Sequence, residues 1–179
     1  LYTGEKVKMV LLDTNVDLLT DGRNRACTTF GILNKDGAFT MIPSPSTEYT
    51  ANWETCEMRN LRMEAFYRLM PETLRKAIKP VIKSTGTGEG ENTISTTEKC
   101  FLFSGSEIIG ANSVTASGEG SQYEYFTYEI NRRIPKTIWL RSMCTSRHYE
   151  GRFCTMDKEG RIGAQPPINY CGVSFGFCI

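Results

Sequence analysis

Gly172-Val173-Ser174-Phe175-Gly176-Phe177-Cys178-Ile179 decides how the rest of this chain is read. In an extended strand Val173, Phe175, Phe177 and Ile179 fall on one side and Ser174, Gly176 and Cys178 on the other, because side chains alternate across a β-strand. The large residues need a core to face. The small ones mean that another element packs closely on the opposite side. The octet therefore reads as a central or near-central strand, expected to lie beside the first strand of the chain. That first strand is Lys6 to Leu12, where Val7, Met9 and Leu11 alternate with Lys6 and Lys8 and read as its buried side.

Working inward from the two ends, Thr28 to Leu33 and Ala38 to Ile42 are β-prone runs separated by Asn34-Lys35-Asp36-Gly37, the grammar of a hairpin, and Pro43-Ser44-Pro45-Ser46 ends it in a loop. From Trp53 to Met70 the period changes. Leu61, Ala65 and Leu69 are spaced by four, with Met58, Phe66 and Met70 beside them on a helical wheel. Pro71 suits the first turn of a second helix that continues through Leu74 and Ile78. Ser84 to Thr97, rich in Gly, Ser, Thr and Glu, reads as an exposed loop or flexible insert. Cys100 to Phe103 is a short strand, and Ser104 three residues before Glu107 makes a capping box for a helix through Ile109. Tyr123, Tyr125 and Tyr128 form an aromatic patch. Thr137 to Ser142 and Arg152 to Met156 are strands, with a turn at Asp157 to Gly160. Strands, then helices, then strands argue one α+β domain over residues 1–179 rather than repeating βαβ units.

Lys and Arg number 21 against 20 Asp and Glu, so the net charge of +1 provides no field to draw in nucleic acid or an anionic membrane. The longest apolar runs fall far short of the roughly 18 residues that cross a bilayer. The chain begins at Leu1 with no charged leader before an apolar stretch, as expected of a fragment or of a chain whose targeting segment has been removed. Seven cysteines, an odd number at wide spacings with no C-x-x-C pair, read mostly as small buried residues with reduced thiols.

No specific catalytic signature stands out. The one histidine, His148, has no local partner that would orient it as a base, and no G-x-S-x-G elbow occurs. Gly86-Thr87-Gly88-Glu89-Gly90 lacks the lysine and hydroxyl of a phosphate-binding loop and reads as a plain loop. With no D-x-D-x-D-G loop and no H-E-x-x-H helix, neither a metal nor another cofactor is expected. Arg147, His148, Tyr149, Glu150 and Arg152 form the most recognition-like stretch, since Tyr and Arg dominate interface hot spots.

Several blocks carry a resemblance: Lys99 to Ser104 with Glu107, Glu119-Gly120-Ser121-Gln122-Tyr123, Trp139-Leu140-Arg141-Ser142, Phe153-Cys154, and the Gly172 to Ile179 ending. Together they resemble a domain family of gut Firmicutes and their phages. That family is similar to the C-type-lectin-fold domains of variable proteins in diversity-generating retroelements and of phage tail or cell-surface proteins. The resemblance implies a C-type-lectin-like fold with antiparallel sheets and two or three helices. It also implies a non-enzymatic display domain, on a virion tail or a bacterial cell surface, that binds a protein or cell-surface ligand. Trp139, Arg141, Phe153, Gly172, Val173 and Phe177 would be scaffold. Contacts would come from Met143 to Arg152, Thr155 to Asp157 and Gly163 to Tyr170. Within these, Met143, Thr145, Arg147, His148, Tyr149, Glu150, Arg152, Thr155, Asp157, Gln165, Ile168, Asn169 and Tyr170 are the candidate ligand-binding residues. The calcium–sugar signatures of lectins are absent; Gln165-Pro166-Pro167 lacks the acidic residue. Two alternatives follow from the same likeness. One is an enzyme akin to the formylglycine-generating oxidases, with Cys171 and Cys178 the nearest candidates for a copper-binding pair. The other is a structural virion component.

Overall fold

The computed structural model describes residues 4, 6–43 and 51–179. In chain order its strands are β1 (Lys8–Asp13), β2 (Thr29–Phe39), β3 (Val81–Gly86), β4 (Thr93–Glu98), β5 (Phe101–Leu102), β6 (Ile138–Met143), β7 (Phe153–Met156), β8 (Ile162–Gln165) and β9 (Cys171–Cys178). Five short helices are interspersed: α1 (Glu64–Arg68), α2 (Glu72–Ala77), α3 (Gly105–Ile109), α4 (Glu124–Thr127) and α5 (Glu129–Arg132). The protein is an α+β domain. Its main sheet runs β1-β2-β9-β6-β7-β8 with β5 also bonded to β9, and β3 and β4 make a separate hairpin. The helices of the described residues are all too short to cross a membrane.

β9 holds the centre. It is antiparallel to β2, with Phe177 opposite Phe30 and Phe175 opposite Ile32, and parallel to β6 through Ile138 and Gly172. All eight of its residues are buried. The side of the strand with small residues is closed by β5. A Cβ on Gly176 would lie 2.6 Å from the Phe101 ring and 3.0 Å from Phe103, so the octet's large-and-small alternation has a concrete cause. The neighbour differs from expectation: β2, not β1, lies beside β9, and β1 pairs with the far edge of β2.

β1 also turns its other face inward. Leu12 is buried, whereas Met9 and Leu11 are 53% and 52% exposed. The run Met9-Val10-Leu11-Leu12 is apolar on both sides, so periodicity cannot choose a face. Gly31 across the strand pair chooses it by leaving room for the Leu12 methyls, which lie about 3.1 Å from where a Gly31 Cβ would be.

The expected hairpin at Asn34 to Gly37 is instead one long irregular strand. Ten residue steps of β2, from Thr29 to Phe39, face seven of β9, from Cys178 to Cys171, and the surplus is taken up in bulges. Asn34 (φ 57°) and Gly37 (φ 103°) adopt left-handed backbone there. Their turn chemistry serves the bulges because both flanking runs find the same buried partner strand. Residues 44–46 of the loop expected after it lie outside the described residues. The stretch expected to be an open loop, Ser84 to Thr97, is mostly hairpin: Val81 faces Glu98 and Gly86 faces Thr93 in unbroken register. Thr and Ile in β4 favour strand as strongly as Gly and Ser suggest loop.

Before α1 the chain makes a π-helical turn over Met58–Met63. Its wider i→i+5 repeat places Met58 and Met63 on one buried face with Phe66 and Met70, and leaves Leu61 exposed, unlike the stripe a 3.6 period predicts. Pro71 caps α2 from just outside its first turn.

Candidate functional site

The capping box forms as expected. Ser104 Oγ accepts from the Glu107 N–H (3.1 Å) while Glu107 Oε2 accepts from the Ser104 N–H (2.9 Å), starting α3. Glu107 then points into the core, where Arg141 of β6 grips it with two bonds, Nη1 to Oε2 (2.5 Å) and Nη2 to Oε1 (2.9 Å). Lys83 of β3 donates to the same carboxylate (2.8 Å), to the Tyr123 hydroxyl (2.6 Å) and to Asp17. Glu119 accepts from the Gly86 N–H (2.6 Å) and from Ser142 Oγ, whose oxygen accepts in turn from the Gly105 N–H (2.9 Å). A cleft of about 340 Å³ reaches Lys83, Glu107, Glu119 and Arg141 between Arg25 and Ser95. The groups named here already bond one another, so the network serves to fasten residues 104–123 and the β3–β4 hairpin onto β6.

Burial pushes the Glu107 and Asp17 carboxyls up, but facing cations outweigh it, Arg141 and Lys83 for Glu107 and Lys83 for Asp17, and hold both below the ordinary carboxylate range. Glu119 behaves oppositely: burial dominates and its carboxyl is raised above the usual 4.5. An acid raised on folding contributes stability below its unfolded pKa and loses it as pH rises through the folded value. Glu119→Gln should therefore gain stability relative to the native protein as pH rises above 4.5, read as the difference in urea midpoints at about pH 4 and about pH 7. A gap that stays constant, or moves the other way, would place an ionised Glu119 in the native state.

Two loops leave one end of the sheet together, because Phe153 at the start of β7 faces Gln165 at the end of β8. The β6–β7 loop is closed by the Cys144 N–H on Arg152 O (3.1 Å) and makes a 3₁₀ turn over Arg147–Tyr149. Thr145 ties it to the fastened segment, donating to Val114 O from its N–H (3.0 Å) and its hydroxyl (3.2 Å). The β8–β9 loop is held by the Asn169 N–H on Pro166 O (3.0 Å), by Asn169 Nδ2 on Gln165 Oε1 (2.7 Å) and by the Met41 N–H on Pro167 O (2.8 Å). Between Glu150-Gly151-Arg152 and Pro166-Pro167 lies a cleft of about 350 Å³. The Arg152 guanidinium sits 5.6 Å over the Tyr149 ring. On the Tyr170 side of the second loop a cleft of about 230 Å³ includes Phe39, Glu57 and Arg62.

Tyr149 (43% exposed), His148, Glu150, Asn169 and Tyr170 (69% exposed) present their side chains to solvent; Thr145, Arg152, Gln165 and Ile168 are half-buried. The Arg147 side chain lies outside what the structure describes. Three candidates do not join this surface. Met143 and Thr155 point into the core, 4% and 2% exposed, because β6 and β7 are covered on both faces. Asp157 lies in the turn at the opposite end of β7, where its carboxylate accepts from Arg161 Nε (2.8 Å) and from the Glu159 and Arg161 N–H groups. Cys171 and Cys178 stand at opposite ends of β9. Among the described residues no group of three or more His, Cys, Asp or Glu is gathered to hold a metal.

A family model described as a domain of unknown function (DUF6273) matches residues 28–179. The chain belongs to the DUF6273 family. No curated protein and no solved structure matches it. The DUF6273 match begins at the edge of β2, so it takes in both loops and all of the buried network except Asp17.

Proposed function

We propose that this DUF6273 domain is a ligand-display module of a phage or bacterial surface protein, without catalytic turnover, that contacts a protein or cell-surface ligand through its β6–β7 and β8–β9 loops. One observation carries the proposal: the β6–β7 loop, rising from two buried strands, and the β8–β9 loop converge on an open cleft, with Tyr149 exposed beside Arg152 and Tyr170 exposed on the other side of the second loop. Rigid strands beneath adaptable polar and aromatic loops suit recognition, because the loops can change while the core stays folded. A C-type-lectin-like scaffold is supported by the sheet order, in which the last strand lies between an N-terminal pair and a three-stranded β6-β7-β8 meander, with helices inserted between.

The test is retention of the labelled domain on a panel of bacterial cells, with and without four substitutions: Arg147→Ala, Tyr149→Ala, Arg152→Ala and Tyr170→Ala. The variant should lose retention while its melting temperature stays within a few degrees, since surface changes usually cost less than about 0.5 kcal/mol each. A variant that unfolds, or is retained like the native domain, places the contact surface elsewhere.

A further inference from the structure

Cys144 and Cys154 bring their Sγ atoms to 2.9 Å. Strand register accounts for the approach. Met143 faces Phe153, and the Cys144 N–H meets Arg152 O, so Cys154, two residues beyond Arg152, lies diagonally opposite Cys144 on the same face. A disulfide bond is about 2.04 Å long, so a sulfur movement of about 1 Å separates this dithiol from the bonded state. The residues between the pair are the β6–β7 loop, and the bond would close that loop at its base.

We infer that Cys144 and Cys154 form a reversible disulfide that fastens the base of the β6–β7 loop, with a low-molecular-weight disulfide such as oxidised glutathione as the electron acceptor. The Cys144 thiolate attacks one sulfur of the acceptor, forms a mixed disulfide and releases the first glutathione as a thiol. Cys154 loses its proton and attacks the Cys144 sulfur, and the second glutathione leaves as a thiolate that takes up a proton. Two protein thiols become one disulfide, and two electrons reduce one glutathione disulfide to two thiols. Either thiol can donate to the other across this contact; with Cys154 as the donor, the Cys144 pKa is lowered and that of Cys154 raised, and Cys144 attacks first. Other buried thiols are poorer nucleophiles; burial pushes Cys56 up to about 12 and Cys171 to about 11. Cys144 is buried, so its reaction with glutathione requires the β6–β7 loop, exposed at residues 148–150, to open. That the fastened loop contacts a ligand rests on the display proposal above; the bond itself does not.

The whole chain is incubated with oxidised or with reduced glutathione, alkylated and cut with trypsin. Oxidation should link the peptide Ser142–Arg147 to Phe153–Lys158, with a mass lower by about 2 Da. It should also raise the melting temperature by roughly 5 °C, since a short closed loop restricts the unfolded chain. Reduced glutathione, without denaturant, should reverse both changes, and Cys144→Ser should show neither. If both peptides stay separate and alkylated after oxidation, the inference fails. It fails equally if Cys154 is linked to another cysteine, or if the bond persists in reduced glutathione. The peptide map of the native sequence decides this even if Cys144→Ser folds poorly, and it reads no ligand binding, so failure of the bond and failure of the display proposal are told apart.

Discussion

Arg141→Met is expected to destabilise the domain by about 3–5 kcal/mol, because it leaves Glu107 buried beside one cation where it now has two. Arg141 is fully buried and its guanidinium is saturated: beyond Glu107 it donates from Nη1 to Leu102 O (2.9 Å), from Nη2 to Glu119 O (3.0 Å) and from Nε to Thr85 Oγ1 (3.0 Å). A methionine of similar length fills the space but satisfies none of these acceptors. Lysine is no substitute, since a single ammonium cannot make the two-point grip on Glu107. Adding Glu107→Gln to Arg141→Met should restore part of the loss by removing the uncompensated charge, and chemical denaturation of the single and double variants measures it. A loss below about 1 kcal/mol for Arg141→Met would show that the guanidinium is not held as described. Acid offers a second readout. Glu107 and Asp17 are depressed on folding, so their stabilisation is present above the ordinary carboxylate pKa and is lost as pH falls through their folded values; Arg141→Met should flatten that acid limb.

Phe175→Ala should cost about 3–5 kcal/mol, by loss of transfer free energy and by the cavity it leaves. Phe175 is fully buried in β9, opposite Ile32 of β2 and Leu102 of β5, and its ring stacks on Phe66 of α1 at 5.4 Å. It therefore joins the sheet to the helical layer, and close-packed neighbours on three elements cannot collapse into the gap without moving one another. The melting temperature should fall by about 10 °C or more for a domain of this length. A loss under about 1 kcal/mol would mean that the helical layer does not pack on the centre of the sheet.

Much of the local structure was legible. The Ser104–Glu107 capping box, the strands at Ile138, Phe153 and Cys171, and the close packing against Gly176 all follow from short-range rules: a cap needs one side chain at a fixed offset, and alternation needs only period two. The readings that failed were those in which two local signals competed. Asn34 to Gly37 carries turn residues, yet it spends them on bulges because both flanking segments pair with β9. Thr93 to Glu98 carries both loop and strand preferences, and pairing with β3 settles the contest. Leu61 loses its place on the buried face because a π turn shifts the helical period by a residue.

For the candidate site the division is similar. Tyr149 and Arg152 stood out by composition and Tyr170 through the resemblance; the structure leaves both tyrosines exposed and Arg152 half-buried. Met143 and Thr155 did not separate from them, because their burial depends on what covers β6 and β7 from distant parts of the chain. What the sequence determined by itself was the α+β class and a final strand buried on both faces, since hydrophobic alternation and residue size express those locally. Only the tertiary structure decided that β2 rather than β1 flanks that strand, that Arg141 grips Glu107 beside Lys83, and that Cys144 meets Cys154. Each of these joins segments far apart in the chain or sets a register between strands, and such contacts are chosen by the free energy of the whole packed core rather than by the residues on either side.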